Sequence, residues 1–434
     1  VKKEIYQVAI TQEKEKAILV GIVLPGMTLR QEEESLDELA FLADTAGAEV
    51  VDRILQDRRV VDPATLIGKG KVHQISRRVV ELGAKVVIFD VDLSPVQLKN
   101  LERELNRKII DRSGLILDIF ARRARTKEAQ IQVELAQLEY FLPRLTRHWT
   151  HLSRQEAGIG TRGPGETQLE VDRRTIRKRI GHLKSELFRI EKQRRVRRRR
   201  RVDFKKVALV GYTNVGKSSL LNGLANAQVF VEDRLFATLD ATIRALSLEN
   251  HRKVLLIDTV GFIRKLPHHL VASFRSTLEE TIEADLLLHV VDISHPQFEE
   301  QIGSVLGVLR ELGIFEKPTI IVFNKVDLLK ERSILPNLSQ RFPRAVFTSA
   351  VKGMGLESLR QEIVKVLEEE EVEEVIHIPI EETKTIARIH KMALVIEKTY
   401  ENGRAKIRFR ATPRNISRIH SWLENCDHDA DTHR

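Results

Sequence analysis

The sequence predicts a multidomain α/β protein, and three observations carry that prediction. At 434 residues the chain is too long for one core, because single cores stop growing near ~250–300 residues. Apolar strand-like runs alternate with helix-periodic runs over 1–120 and again from 202 onward, as in layered α/β folds. Between them lie two long helical patterns. The expected order is an N-terminal α/β domain (1–120), a basic antiparallel helical hairpin (121–201), a doubly wound α/β domain (202–368), and a small α+β domain with a tail (369–434).

In the first segment, AILVGIVL (17–24) and KVVIFD (85–90) read as buried strands. Ser35 followed by Glu38 predicts a capping box opening the helix SLDELAFLADTAG. Ser94 and Pro95 read as N-cap and first helical residue of SPVQLKNLEREL. IGKGK (67–71) reads as a glycine-rich strand-to-helix turn, with a phosphate site for ATP as the alternative. From Thr126 to Leu142, Ile131, Leu135, Leu138 and Leu142 recur on one helix face, and Pro143 marks the end. A second helix is expected from Thr167, boxed by Glu170. Its Leu169, Ile176, Ile180, Leu183, Leu187 and Ile190 keep the spacing of a helix-packing seam. The connection HLSRQEAGIGTRGPGET (151–167) is glycine-rich and carries Arg154 and Arg162, which suits a loop touching nucleic acid.

Charge supports the same reading. The net charge is +10, yet between Ala121 and Arg201 basic residues exceed acidic ones by 14, so the remainder is slightly acidic. RRVRRRRR (194–201) packs seven arginines into eight positions, and phosphates relieve their repulsion. RNA contact with a strong salt dependence is expected. The single cysteine, Cys426, excludes an intrachain disulfide framework and suits a reducing cytoplasm. No apolar run approaches the ~20 residues that span a bilayer, and VKKEIYQVAI is too quickly polar for a signal peptide.

From 205 the motifs carry chemistry. KKVALVGYTNVGKSSLLNGLA (205–225) is a strand, a loop and a helix fitting G-x-x-x-x-G-K-[ST]. Gly211, Tyr212, Thr213, Asn214, Val215 and Gly216 form a P-loop whose backbone N–H groups wrap phosphates. Lys217 would reach the β- and γ-phosphates, and the Ser218 hydroxyl would ligate Mg²⁺. KVLLIDTVG (253–261) ends in Asp258, Thr259, Val260 and Gly261. Asp258 would hold magnesium through water, and the Gly261 amide would bond the γ-phosphate. PTIIVFNKVDLL (318–329) ends in Asn324, Lys325, Val326 and Asp327. A carboxylate at Asp327 accepts guanine N1–H and N2–H, which adenine lacks, a difference worth ~10⁴-fold. Ser349, Ala350 and Val351 would back up recognition of the guanine carbonyl. A threonine must also reach the magnesium from the segment before strand KVLLID, and Thr238 and Thr242 both qualify. Phe262 stands where such sites usually carry a water-orienting glutamine. An apolar side chain cannot orient water, so Phe262 reads as a packing residue.

The chain resembles the HflX family of ribosome-associated GTPases, from its N-terminal region through the P-loop domain. LDELAFLADTAGAEVV, IGKGKV, LSPVQLKNLE, DRSGLILDIFARRARTKEAQIQVELAQLEYFLPRL, GIGTRGPGETQLEVDRR, VGYTNVGKSSLLN, LFATLDATIR and DTVGFIRKLPHHLV carry the resemblance. It implies GTP hydrolysis to GDP with Mg²⁺ and binding to the large ribosomal subunit and its RNA. It also implies separation of stalled or stress-damaged ribosomes in the cytoplasm. Within Phe236, Ala237, Thr238, Leu239 and Asp240 it selects Thr238 as magnesium ligand. Lys217, Thr238 and Gly261 then make the transition-state contacts, and what Phe262 cannot supply is expected from ribosomal RNA or from the mobile segment around Thr238 ordered against it. Asn214 occupies a position that holds K⁺ in some related GTPases, making K⁺ a second candidate cofactor.

A tRNA-modifying GTPase is the competing class, but Cys426 in ENCDHD does not match its Cys-x-Gly-Lys signature. An RNA-remodelling ATPase acting through IGKGK is a third. At the C-terminal end, EEEEVEE (368–374) reads as an acidic hinge. IARIH onward reads as strand, Asn-Gly turn (401–404), strand and helix, and HDADTHR as a frayed tail. A monomer is expected.

Overall fold

The computed structural model describes residues 14–145, 168–198, 204–225, 235–236, 242–248, 253–265 and 280–422, apart from 315, 332, 370, 402, 412 and 414. The first unit is a four-stranded parallel sheet of order β2-β1-β3-β4. Its strands are β1 (Glu15–Val23), β2 (Ala48–Asp57), β3 (Val86–Phe89) and β4 (Lys108–Asp111). The helices are α1 (Leu29–Thr45), α2 (Lys69–Leu82), α3 (Pro95–Leu105) and α4 (Arg112–Arg123). Alternate residues of β1 feed opposite cores, as a parallel sheet covered on both faces requires. Ala17 and Leu19 pack with Leu36, Leu39 and Leu115. Ile18, Val20 and Ile22 pack with Ile75, Val79 and Leu101.

The predicted start of α1 is corrected. Thr28, not Ser35, is the N-cap, with Gln31 completing the reciprocal box. Ser35 lies inside the helix and is buried, and its hydroxyl donates to Asp90 Oδ2 at 2.6 Å. Both sequences satisfy the local capping rule. Burial against the end of β3 makes the Ser35 hydroxyl a tertiary partner instead. At α3 the Ser94–Gln97 box with Pro95 at N1 is as expected. Gly68 of IGKGK is the N-cap of α2, and its amide is bonded to Gln56 Oε1 at 3.1 Å.

Helix α5 (Lys127–Phe141) starts at N-cap Thr126 and ends in a 3₁₀ turn, Leu142–Arg144, that contains Pro143. Helix α6 (Gln168–Arg198) runs back along it, pairing Glu186 with Lys127 and Arg179 with Glu134. Leu183 is fully buried against Ile131 and Leu135. At 31 residues α6 is about 46 Å long. Residues 146–167, with Arg154, Arg162 and Thr167, lie outside the described residues, as do 199–203.

The third unit is a six-stranded sheet of order β10-β9-β8-β5-β7-β6. It comprises β5 (Lys205–Gly211), β6 (Thr242–Ser247), β7 (Lys253–Asp258), β8 (Leu286–Asp292), β9 (Thr319–Asn324) and β10 (Val346–Phe347). Only β6 runs antiparallel to its neighbour. Helix α7 (Lys217–Ala225) follows β5. The first and third units share a continuous apolar core.

The last unit is an antiparallel sheet of order β11-β13-β12, with strands β11 (Val372–Pro379), β12 (Leu394–Glu401) and β13 (Arg404–Ala411). The acidic run is therefore not wholly a hinge. Its last residues enter β11, where Glu373 pairs with Arg408 on the neighbouring strand. IARIH is also helical, within Thr383–Met392, because Ile386 and Ile389 bury together at helical spacing.

Candidate functional site

Apart from Phe236, the sequence-predicted site residues within the described segments converge at the carboxyl ends of β5, β7, β9 and β10. Open α/β sheets receive ligands at this edge. The loop from Gly211 to Gly216 joins β5 to α7, and it turns through Asn214 and Gly216, at φ 61° and 90°. A side chain at position 216 would collide with the Asn324 amide. Asn324 itself braces the loop. Its amide donates to Val215 O at 2.8 Å, and its Oδ1 accepts from Ala350 N at 3.0 Å.

Inside the loop, the Lys217 amine donates to Tyr212 O at 2.7 Å and Gly211 O at 3.1 Å. Burial lowers its pKa to about 8, against the opposing pull of Asp258. The Ser218 hydroxyl donates to Asp258 Oδ2 at 2.5 Å, bringing two hard oxygen donors together at the start of α7. Thr259 is anchored by its hydroxyl to Leu209 O at 2.6 Å. After Val260, Gly261 lies so close to the loop that a Cβ would meet Thr213 Cγ2 at 2.7 Å and Lys217 Nζ at 2.9 Å.

Phe262 is buried. Its backbone N–H donates to Gly211 O at 3.1 Å, and its carbonyl accepts from Thr213 N at 2.8 Å. This bridge turns the ring into the core.

At the other end of the edge, Lys325 has φ 64° and its amine reaches Asp292 at 2.7 Å. The hydrogen bond from Ser349 holds the Asp327 carboxyl below its usual range. Ser349 is buried and Val351 is exposed. Val326 packs below Asp327 in a small apolar cluster.

Phe236 is buried with φ 55°, its ring edge-on to Phe120 of α4 at 4.7 Å. Ala237, Thr238, Leu239 and Asp240 lie outside the described residues. Thr242 opens β6 and pairs with Asp258 across the sheet. Among the described residues no cluster of His, Cys, Asp or Glu suits a metal ion by itself, and no helix is long and apolar enough to cross a membrane.

Sequence reasoning missed a second set of residues. The Tyr212 hydroxyl bonds Glu38 of α1, and Arg264 and Lys265 join Glu32, Asp90 and Arg112. A cavity of about 470 Å³ lies between α1 and the loop, lined by Glu34, Asp37, Glu38, Asp44 and Asn214. The acidic run at 32–38 and the basic pair at 264–265 carry opposite charges, but nothing local says that they meet.

Fold and loop geometry together define a P-loop GTPase carrying an additional α/β domain and a helical hairpin. Three family models match: "GTP-binding GTPase N-terminal" over 33–121, "GTP-binding GTPase Middle Region" over 123–201, and "50S ribosome-binding GTPase" over 206–325. The chain is 46% identical to GTPase HflX of Caldanaerobacter subterraneus, covering 95% of both chains. It is 44% identical to GTPase HflX of Escherichia coli, covering 91% of this chain and 93% of that one. It is 53% identical to GTPase HflX of Flavobacterium psychrophilum, over 74% of this chain and 77% of that one. A GTP-binding protein from Sulfolobus solfataricus, solved with GDP, matches 81% of this chain and 98% of its own at 27% identity and a TM-score of 0.44. The protein belongs to the HflX family of GTPases.

Proposed function

We propose that the protein uses GTP to hold the large ribosomal subunit and separate stalled or stress-damaged ribosomes, with hydrolysis timing its release. The observation that carries the site assignment is the convergence of Lys217, Ser218, Asp258 and Gly261 on one loop, with Asp327 and Ser349 at the same sheet edge.

Backbone N–H groups from Asn214 to Ser218 cradle the phosphates, and Lys217 turns its amine from loop carbonyls toward the β- and γ-phosphates. Ser218 and Asp258 fit Mg²⁺, since hydroxyl and carboxylate oxygens are the donors it takes. Bound there with Thr238, the ion would neutralise phosphate charge. Asn214, in the left-handed turn, is the candidate K⁺ contact. Gly261 presents its amide to the γ-phosphate, and Asp327 accepts from the guanine. Because Phe262 faces the core, the chain lacks a water-orienting side chain there. Intrinsic turnover is therefore slow, on the order of 10⁻⁴–10⁻³ s⁻¹, until ribosomal RNA completes the site.

The hairpin is the RNA-binding prong. Arg174, Arg177 and Lys178 are exposed along α6 ahead of the arginine run. The test is GTP turnover with and without purified large subunits across a salt series, with joined ribosomes followed by light scattering. Turnover should rise with subunits, lose that gain as salt increases, and accompany a drop in scattering. Equal turnover with and without subunits at low salt would refute the proposal.

A further inference from the structure

We infer that Thr213 is a further catalytic residue, whose hydroxyl orients the attacking water at the γ-phosphate in place of the glutamine that position 262 lacks. The inference rests on the phosphate-site reading above and employs a side chain that this reading leaves unused.

Three hydroxyls lie in the two loops that meet at this edge, 211–216 and 258–262. Tyr212 directs its own to Glu38 of α1, and Thr259 donates to Leu209 O at 2.6 Å. Thr213 is 5% exposed, and its Oγ1 has no hydrogen-bond partner among the described residues. A buried hydroxyl left unsatisfied is costly, and native structures keep few of them. In a phosphate-binding loop, such a group points to a partner that arrives with the substrate.

Its position fits that partner. A Cβ built on Gly261 would stand 2.7 Å from Thr213 Cγ2 and 2.9 Å from Lys217 Nζ. The Thr213 side chain and the Lys217 amine therefore flank one point, beside the glycine assigned to the γ-phosphate. Rotation about χ1 exchanges the methyl and the hydroxyl between staggered positions, so the hydroxyl can take the place that the methyl holds. The backbone beneath is fixed. Thr213 N–H donates to Phe262 O at 2.8 Å, and Phe262 N–H donates to Gly211 O at 3.1 Å. Thr213 is thus bonded directly to the residue where glutamine is missing. The polar group absent from one side of this bridge is present on the other, already aimed before reaction. Thr213 and Asn214 also line the cavity of about 470 Å³, which has room for several waters at ~30 Å³ each.

In the step assigned to Thr213, the water oxygen bonds to the γ-phosphorus while the bond from that phosphorus to the β–γ bridging oxygen breaks. The bridging oxygen keeps the electron pair and leaves as part of GDP. Thr213 Oγ1 accepts a hydrogen bond from the water and donates its own hydrogen to a γ-phosphoryl oxygen, since a hydroxyl does both. The water's proton passes to an oxygen of the phosphate product, and the threonine ends unchanged. Its contribution is orientation alone. A hydrogen bond to a charged partner made in the transition state is worth about tenfold to a hundredfold in rate. That is too little to make the free chain fast, in keeping with slow intrinsic turnover.

The test uses the full chain in single-turnover GTP hydrolysis, with Kd for GDP and for a non-hydrolysable GTP analogue, and the urea unfolding midpoint, measured alongside. Thr213→Val replaces the hydroxyl by a methyl and keeps the branched shape. It should lower the rate about tenfold or more while both affinities stay within about twofold. Its midpoint should equal or exceed that of the wild type, because the hydroxyl removed is one that the fold leaves unsatisfied. Thr213→Ala should be as slow as Thr213→Val, and Thr213→Ser, which restores the hydroxyl, should run within about threefold of wild type. Wild-type rates in Thr213→Val and Thr213→Ala would overturn the inference. So would a Thr213→Ser chain as slow as Thr213→Val, or a loss of nucleotide affinity or of midpoint that accompanies the loss of rate, since the side chain would then serve structure. Lys217→Ala is the control for the underlying reading: wild-type hydrolysis in that variant would overturn the phosphate-site assignment itself, whereas the Thr213 results bear on the inference alone.

Discussion

Phe262→Gln tests the chemistry of the site more sharply than any substitution of a phosphate contact. The change installs the side chain that water-orienting GTPases use, at the position where they use it. If the side chain faced the γ-phosphate, intrinsic hydrolysis would accelerate. The structure predicts the opposite outcome. Backbone bonds to Gly211 and Thr213 fix residue 262 as a bridge, and its ring is 2% exposed in the core. Removing a buried benzyl group loses roughly 2–3 kcal/mol of transfer free energy. Burying an amide without partners costs about 1–3 kcal/mol more. The variant should therefore lose about 3–6 kcal/mol of stability in urea unfolding, with no gain in single-turnover rate. Phe262→Leu keeps the side chain apolar and should cost less than half as much. A glutamine variant at least tenfold faster than wild type, with an unchanged unfolding midpoint, would show that the side chain leaves the core and that the bridge does not hold.

Gly261→Ala should slow hydrolysis about tenfold or more, because the added methyl meets Thr213 and Lys217 at 2.7–2.9 Å and well-packed sites resist overpacking by about 1–3 kcal/mol. GDP affinity, measured by calorimetry, should change far less. Asp327→Asn should weaken GTP binding by about 100-fold or more and improve binding of xanthosine triphosphate, whose C2 carbonyl accepts from the new amide; fluorescence competition reads both. His289 is buried in β8, and burial, reinforced by the Lys217 charge, lowers its pKa from 6.5 to about 4. The folded chain then binds fewer protons than the unfolded one between those values. Stability should fall as pH drops from 6.5 toward 4, by at most about 1.4 kcal/mol per unit from this group. His289→Leu should remove that slope in urea titrations, whereas an unaltered slope would mean that the imidazole protonates in place.

How much of this was legible in the sequence follows from how far apart the partners lie. Ser94 and Gln97 are three residues apart, and so are Thr126 and Ala129, so a capping pattern finds both. The P-loop is legible because its demands are also local: glycine where φ is positive, and lysine and serine at the first turn of α7. Ser35 and Glu38 defeated the same rule. Their spacing was right, but their side chains were already engaged by Asp90, Arg112 and Tyr212, at separations of 55, 74 and 174 residues. Lys265 and Glu32 stand 233 residues apart. A charge pair at that distance leaves no periodicity and no spacing to read. At the C-terminal end the sequence does hold the answer. Ile386 and Ile389 lie three apart and signal a helix, but adjacent apolar residues in IARIH also permit a strand over so short a run.

Phe262 and Lys265 then appear as parts of one arrangement. A glutamine that positions water needs a backbone free to bring its amide over the phosphate. The bridge of residue 262 to Gly211 and Thr213 removes that freedom, and with it any use for a polar side chain there. What the bridge supplies is a rigid stretch reaching from the P-loop to the N-terminal domain in four residues. Movement of Gly261 must then strain the bonds that Arg264 and Lys265 make to Tyr212, Glu32 and Asp90.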